Sequence, residues 1–168
     1  MAIHRTLKSC VATAISANLT SEVIVEHVKI LFEYEGAQTD QYEVESMWAV
    51  PHPDGYQPDN IPFYAREVAA GDIIAAQPGP DGELRYERLM KPSGHSTIRL
   101  WFADARDVQR IRDELRELGC PSELSELPRL VAVDVPPEVP YSVIHSKLQQ
   151  GEQAGLFELE EACLGQPT

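Results

Sequence analysis

STIRLWFADARDVQRIRDELRELGCPSELSELPRLVAVDV, residues 96–135, carries the strongest structural signals in the chain. Residues 96–102 are rich in β-branched and aromatic side chains, which predicts a strand. Asp104 is suited to begin a helix as its N-cap, and Gly119 is suited to end it. Between them an apolar stripe recurs at helical spacing, formed by Val108, Ile111, Leu115 and Leu118. The stretch therefore begins with a strand followed by an amphipathic helix.

The residues that follow extend this pattern to a complete α+β unit. Two strands are predicted, over 122–127 and 129–135, and Pro140 is well placed in the first turn of a second helix. A last strand is predicted over 156–162. The order β-α-β-β-α-β is that of a ferredoxin-like split βαβ module, in which two helices pack on one face of an antiparallel sheet.

The upstream half, 27–90, contains short alternating segments separated by turns, including a hairpin around Asp81-Gly82. About five such strands predict a small antiparallel β-barrel. We therefore expect an α+β protein with an N-terminal arm or short helix at 1–24, a barrel-like module at 25–92 and the ferredoxin-like module at 93–168.

Charge limits the classes of partner. The 168 residues include 27 acidic and 14 basic side chains, a formal net charge of −13. A phosphate backbone would be repelled, so direct binding to nucleic acid is not expected, whereas a basic protein would be attracted. No stretch has the apolar length of a membrane span, and three cysteines without a CxxC pair are typical of reduced thiols in the cytoplasm. The oligomeric state stays open.

Ser93-Gly94-His95-Ser96-Thr97 is the densest cluster of reactive side chains. A catalytic interpretation has Ser93 or Ser96 as the nucleophile and His95 as the base, oriented by Asp59 or Asp72. The strand-to-helix elbow of Gly-x-Ser-x-Gly hydrolases is absent from this segment, which favours hydrogen bonds to loop backbone instead. If a small ligand binds at the junction of the modules, its contacts are expected from Asp59, Asn60, Ser93, His95 and Thr97.

Other candidate residues concern interfaces and metals. Trp48 and Trp101 are interface anchors if they are exposed, and Glu158 and Glu160 are expected to line the last strand. The histidines lack the spacing of metal ligands, and no Gly-x-Gly-x-x-Gly or P-loop motif occurs, so neither a metal nor a cofactor is expected.

Three segments together carry a family resemblance: 44–50 (VESMWAV), 59–65 (DNIPFYA) leading to Gly71-Asp72, and 93–99 (SGHSTIR). In this order and spacing they resemble a bacterial family known only as a domain of unknown function, family 4265. The resemblance covers roughly 28–164 and leaves the N-terminal arm outside. It implies a cytoplasmic bacterial protein and assigns no catalytic residue.

These observations favour an acidic binding or regulatory protein that acts through protein–protein contacts, for example an immunity-type neutraliser of a basic toxin. The alternative is a small hydrolase or transferase, or a small-ligand sensor, with its site at the module junction. The lack of a catalytic signature makes an enzyme the less favoured class.

Overall fold

The computed structural model describes residues 26–36 and 42–166, which form two β-sheets and two α-helices. The first five strands are β1 Val28–Glu35, β2 Tyr42–His52, β3 Gly55–Pro58, β4 Ile73–Pro78 and β5 Leu84–Lys91. The second half contains β6 Ser96–Phe102, a 3-10 turn at Ala105–Asp107, α1 Val108–Glu117, β7 Ser122–Leu124, β8 Leu130–Val135, α2 Tyr141–Gln153 and β9 Phe157–Cys163. The protein is thus of the α+β class, as the sequence predicts. No helix in the described ranges is long and apolar enough to cross a membrane.

Strands β1 to β5 close into a ring, because each pairs with its sequence neighbours and β1 also pairs with β5. The consecutive pairs are antiparallel. The β1–β5 pair is parallel, so the prediction of an antiparallel arrangement throughout is wrong at this closure. Alternation along the strands directs one set of side chains into the ring, where Ile30, Phe32, Met47, Ala49 and Ile74 form its core with Ala65 and Val68 from the connecting segment.

The second sheet has the spatial order β7-β8-β6-β9, and all of its pairs are antiparallel. Its core includes Ile98, Leu100 and Phe102 from β6, together with the apolar stripes of the two helices. In α1 the buried stripe is Val108, Ile111 and Leu115, whereas Leu118, predicted as its fourth member, is exposed at the C-cap. Each buried side chain of the stripe contributes roughly 1.5–3 kcal/mol by its removal from water. The opposite face of β6 packs toward the ring, since Arg99 donates to the Ala65 carbonyl at 2.6 Å.

Several element ends differ from those predicted. Asp104 caps the 3-10 turn, accepting from the Arg106 amide at 2.8 Å, so α1 itself begins at Val108. The strand expected over 122–127 ends at Leu124, because the Ser125 hydroxyl accepts from the Leu127 amide and forms a turn. The predicted N-terminal arm, 1–24, lies outside the described residues.

Candidate functional site

A groove of about 860 Å³ lies between one end of the strand ring and the outer face of the second sheet. The ring contributes the end of β1 (Glu33–Gly36), Glu43 of β2 and a loop after β3 with Phe63, Tyr64 and Arg66. The sheet contributes Arg99, Trp101 and Glu160, together with Leu127 and Leu130. We call this surface the acidic groove.

Carboxylates outnumber cations in the acidic groove. Its lining contains four glutamates, Glu33, Glu35, Glu43 and Glu160, and two arginines, Arg66 and Arg99. Arg99 is 7% exposed and is already bound to the Ala65 carbonyl and to Glu160, whose carboxylate oxygens lie 3.3 Å from Nη1. Glu33 pairs with Arg85. Glu35 and Glu43 are thus left as the carboxylates with no ion pair to a described residue, and they give the groove its negative character.

Aromatic rings form the apolar part of the acidic groove. Tyr34 stacks on Tyr64 with 4.9 Å between ring centroids, and its hydroxyl donates to Glu43 at 2.8 Å. Burial raises the pKa of both tyrosines, and nearby carboxylates raise it further, so both hydroxyls stay protonated. Trp101 is 37% exposed, and the guanidinium of Arg129 lies over its ring. The groove therefore offers π-faces beside negative charge, a combination that suits cations.

Glu45 holds the loop that carries Phe63 and Tyr64. Its carboxylate accepts three backbone hydrogen bonds, from the amides of Phe63, Tyr64 and Ala65, at 2.7, 2.9 and 2.7 Å. Three charge-assisted bonds to consecutive amides fix the loop more firmly than turn residues alone can do. Glu45 is therefore a positioning residue for the aromatic side of the acidic groove.

Asp59 and Asn60 lie outside the acidic groove. Asp59 contacts His27 at 3.0 Å, and with Trp48 these residues line a separate shallow depression. Asn60 accepts from the Trp48 amide and donates to Glu123 of β7, which also accepts from the Ile61 amide. Asn60 and Glu123 thus join the ring to the second sheet. Burial raises the pKa of Glu123, and these hydrogen bonds oppose the rise.

The predicted cluster does lie at the junction of the ring and the second sheet, and it comprises Ser93, His95, Ser96 and Thr97. Most of its polar groups form hydrogen bonds with other groups of the chain. The Ser93 hydroxyl donates to the Ala70 carbonyl and accepts from the His95 amide, while Asp72 accepts from the Ser93 amide. Ser96 and Thr97 are fully buried, and Ser96 accepts from the Gly165 amide. These contacts are those of the loop interpretation.

The acid that contacts the His95 ring is Asp134, and neither Asp59 nor Asp72 takes this role. Its two carboxylate oxygens lie 2.8 and 3.0 Å from Nδ1 of His95, and Asp134 is 5% exposed. Burial raises the pKa of Asp134, and His95 opposes that rise. Asp59 and Asp72, the two acids considered for this role, have the other partners described above.

Of the remaining interface candidates, Trp48 is 46% exposed on the outside of the ring, with the Lys29 ammonium over it at 4.9 Å. Glu158 and Glu160 are exposed on β9, and Glu160 alone of the two lines the acidic groove. Across the described ranges, no three His, Cys, Asp or Glu side chains are arranged to hold a metal ion.

The family described as "Domain of unknown function (DUF4265)" matches residues 45–159. The chain belongs to this family. The DUF4265 match begins at Glu45 and includes the loop that this residue holds, both tryptophans, and the His95–Asp134 pair. It leaves out Tyr34, Glu43 and Glu160, so the acidic groove is only partly covered by it.

One solved structure is similar in fold, the crystal structure of a hypothetical protein from Neisseria gonorrhoeae. It matches with a TM-score of 0.72 and 24% sequence identity over 84% of this chain and 98% of that chain. The similarity supports the architecture of this DUF4265 member and carries no functional information. A search of curated proteins found no match.

Proposed function

We propose that this protein is an acidic binding protein that takes a basic segment of another protein into the acidic groove. The observation that carries the proposal is the excess of carboxylates beside stacked tyrosines in a groove of about 860 Å³. A lysine or arginine side chain would gain both ion pairing and contact with an aromatic face there. A regulatory role follows, and a basic toxin is one class of partner that such a protein would neutralise.

The charge of the whole chain supports a basic partner over a phosphate polymer. The formal net charge is −13, which steers cationic proteins toward the surface and slows the approach of anions. Within residues 26–36 and 42–166, most lysine and arginine side chains form ion pairs with carboxylates. These are Arg85, Arg88, Arg99, Arg106, Arg110, Arg116 and Lys147. Such pairing favours dispersed cations over the continuous cationic channel that nucleic acid requires.

We also infer that the two halves are a small barrel and a ferredoxin-like module. The element order β-α-β-β-α-β and the spatial order β7-β8-β6-β9 support the second assignment, because the first and third strands of the unit are central. On this assignment the helices cover one face of the sheet, and the ring covers only part of the other. The uncovered part contains Trp101 and forms one wall of the acidic groove.

The proposal is tested with a fluorescein-labelled Arg-Gly repeat peptide, followed by fluorescence anisotropy, with a Gln-Gly peptide as the uncharged control. Glu35→Lys places a cation in the acidic groove, and Glu117→Lys makes the same change at the exposed end of α1. We expect Glu35→Lys to weaken binding by about tenfold and Glu117→Lys by less than about twofold.

Binding should also weaken as salt rises from about 50 to about 300 mM, because the screening length shortens. Equal weakening by the two lysine variants would mean that overall charge, and not the groove, attracts the peptide. Equal affinity for the Gln-Gly peptide would overturn the electrostatic basis of the proposal. If the Arg-Gly peptide does not bind at low salt, the groove does not bind basic segments and the proposal is wrong.

A further inference from the structure

A second cavity, of about 320 Å³, lies where the connection from the ring meets β9. Its polar lining consists of Glu67, Asp72, His95, Glu161 and Cys163. The lining residues differ entirely from those of the acidic groove. We call it the His95 cavity.

The His95 ring is held in one orientation by a buried acid. Nδ1 lies within hydrogen-bond distance of both carboxylate oxygens of Asp134, which is 5% exposed. A carboxylate only accepts, so Nδ1 donates, and in the neutral imidazole Nε2 is then the acceptor. Within residues 26–36 and 42–166, Nε2 has no hydrogen-bond partner. Because Asp134 binds Nδ1, Nε2 of His95 is left as an unused acceptor, and His95 lines the cavity.

Charge indicates which ligand Nε2 would meet. No lysine or arginine of the described chain lines the His95 cavity, whereas Glu67 and Glu161 both do. Asp72 also lines it, but its oxygens accept from the amides of Ala69 and Ser93. Glu161 accepts from the Tyr141 hydroxyl and lies 3.6 Å from Nε2 of His145, whereas Glu67 forms no ion pair with a described residue. The negative charge of these carboxylates would repel an anionic ligand and attract a cationic ligand with N–H donors.

Cys163 does not turn the cavity into a nucleophilic site. Burial raises the pKa of its thiol, and the charges of Asp72 and Glu67 raise it further. The thiol therefore stays protonated near neutral pH and contributes a soft, weakly polar wall beside Leu89. Binding, and not covalent catalysis, is the chemistry that this lining supports.

We propose that the His95 cavity binds a small primary alkylammonium ligand. Nε2 of His95 accepts a hydrogen bond from the ammonium group, Asp134 orients the ring, and Glu67 and Glu161 balance the charge. The site is independent of the acidic groove and of the basic protein proposed for it.

The test uses 1,4-diaminobutane as the probe and 1,4-butanediol as an uncharged probe of the same length, each titrated into the full chain. Binding is followed by the ¹⁵N chemical shifts of the His95 ring. We expect saturable shifts with the diamine only. Glu67→Gln, in the cavity, should weaken binding by about fivefold to tenfold, and Glu117→Gln, on α1, should leave it unchanged although it alters the net charge equally.

His95→Gln serves as a second variant, read by calorimetry, and should weaken binding by at least about tenfold because the oriented acceptor is lost. If His95→Gln does not fold, the comparison of Glu67→Gln with its control Glu117→Gln still tests the proposal. Glu67 is exposed, so its substitution should not disturb folding. Equal binding of butanediol, equal weakening by Glu67→Gln and Glu117→Gln, or no saturable shift would each overturn the proposal. Glu35→Lys, which tests the acidic groove, should not change diamine binding by more than about twofold.

Discussion

At the scale of single residues, carboxylates define both candidate sites and also join the two halves of the molecule. Glu45 fixes the groove loop, Asp134 orients His95, and Glu123 accepts from the Ile61 amide at 3.2 Å. These carboxylates act through hydrogen bonds to groups far away in sequence. Their effect on folding is therefore specific to position, unlike that of the many exposed acidic residues.

Glu123 leads to a prediction about pH. Burial raises the pKa of Glu123 above its ordinary value of 4.5, so the folded state binds more protons than the unfolded state in the pH window between 4.5 and the raised pKa. Its contribution to stability therefore falls as pH rises through that window. Glu123→Gln keeps an oxygen for the Ile61 amide and removes the charge.

We expect the free energy of unfolding of Glu123→Gln, relative to the unmodified protein, to improve as pH rises above about 4.5 and to level off once the pH has passed the raised pKa of Glu123. Urea unfolding at several pH values measures it. Glu117→Gln, at the exposed end of α1, should give a curve parallel to that of the unmodified protein. Parallel curves for both variants would show that Glu123 does not carry this pH dependence.

Residue identity alone could predict only part of the sites. The cluster at 93–97 stands out by composition, and the structure does place it at the junction. Asp134 does not stand out, because it lies inside the apolar run VAVDV, where a charge is normally a sign of an exposed strand face. The groove residues Tyr34 and Glu43 face each other on the neighbouring strands β1 and β2, but Glu160 comes from β9, and only tertiary packing brings it to them.

At the scale of elements, periodic patterns predict the middle of each helix and strand well and its first and last residues less well. The stripe of α1 was visible because its buried residues repeat at helical spacing, and Gly119, with φ of 87°, ends the helix as expected. The closure of the ring by β1 and β5 was not visible. A parallel pair between strands more than forty residues apart leaves no local signal in the sequence.

Gly151 in α2 provides a test of how closely an element is packed. A Cβ at this position would overlap the ring of Phe157, which is 4% exposed. Alanine favours a helix over glycine by about 1 kcal/mol, but overpacking a core costs about 1–3 kcal/mol. We expect Gly151→Ala to lower the free energy of unfolding by about 1 kcal/mol, measured by urea unfolding.

Two controls separate packing from helix propensity. Gln149→Ala, on the exposed face of the same helix, should be neutral or slightly stabilising. Adding Phe157→Leu to Gly151→Ala should cost less than the sum of the two single changes, because the smaller side chain leaves room for the new methyl group. A stabilised Gly151→Ala protein would mean that α2 and β9 are packed less tightly than the structure indicates.

At the scale of the whole molecule, the ring and the second sheet are joined by polar contacts. Arg99 of β6 is 7% exposed and binds the Ala65 carbonyl on the ring side, while Asp72 and Glu123 accept from backbone amides across the junction. Such contacts are lost together if the two halves separate. Their loss would leave buried polar groups unpaired, which couples the unfolding of one half to that of the other.

The two tryptophans make this coupling measurable, because Trp48 lies in β2 of the ring and Trp101 lies in β6 of the second sheet. With Trp101→Phe the fluorescence reports the ring, and with Trp48→Phe it reports the second sheet. In both backgrounds we expect the same urea midpoint, because the junction is intact. Arg99→Met keeps the apolar stem and removes the guanidinium, which should cost about 2 kcal/mol.

In Arg99→Met the midpoints of the two reporters should diverge, since each half then unfolds with less dependence on the other. Arg106→Met removes a guanidinium that is 90% exposed and should change neither midpoint measurably. If Arg99→Met lowered both midpoints equally, Arg99 would stabilise the molecule without coupling its halves. The coupling would then reside in the contacts of Glu123 and Asp72 across the junction.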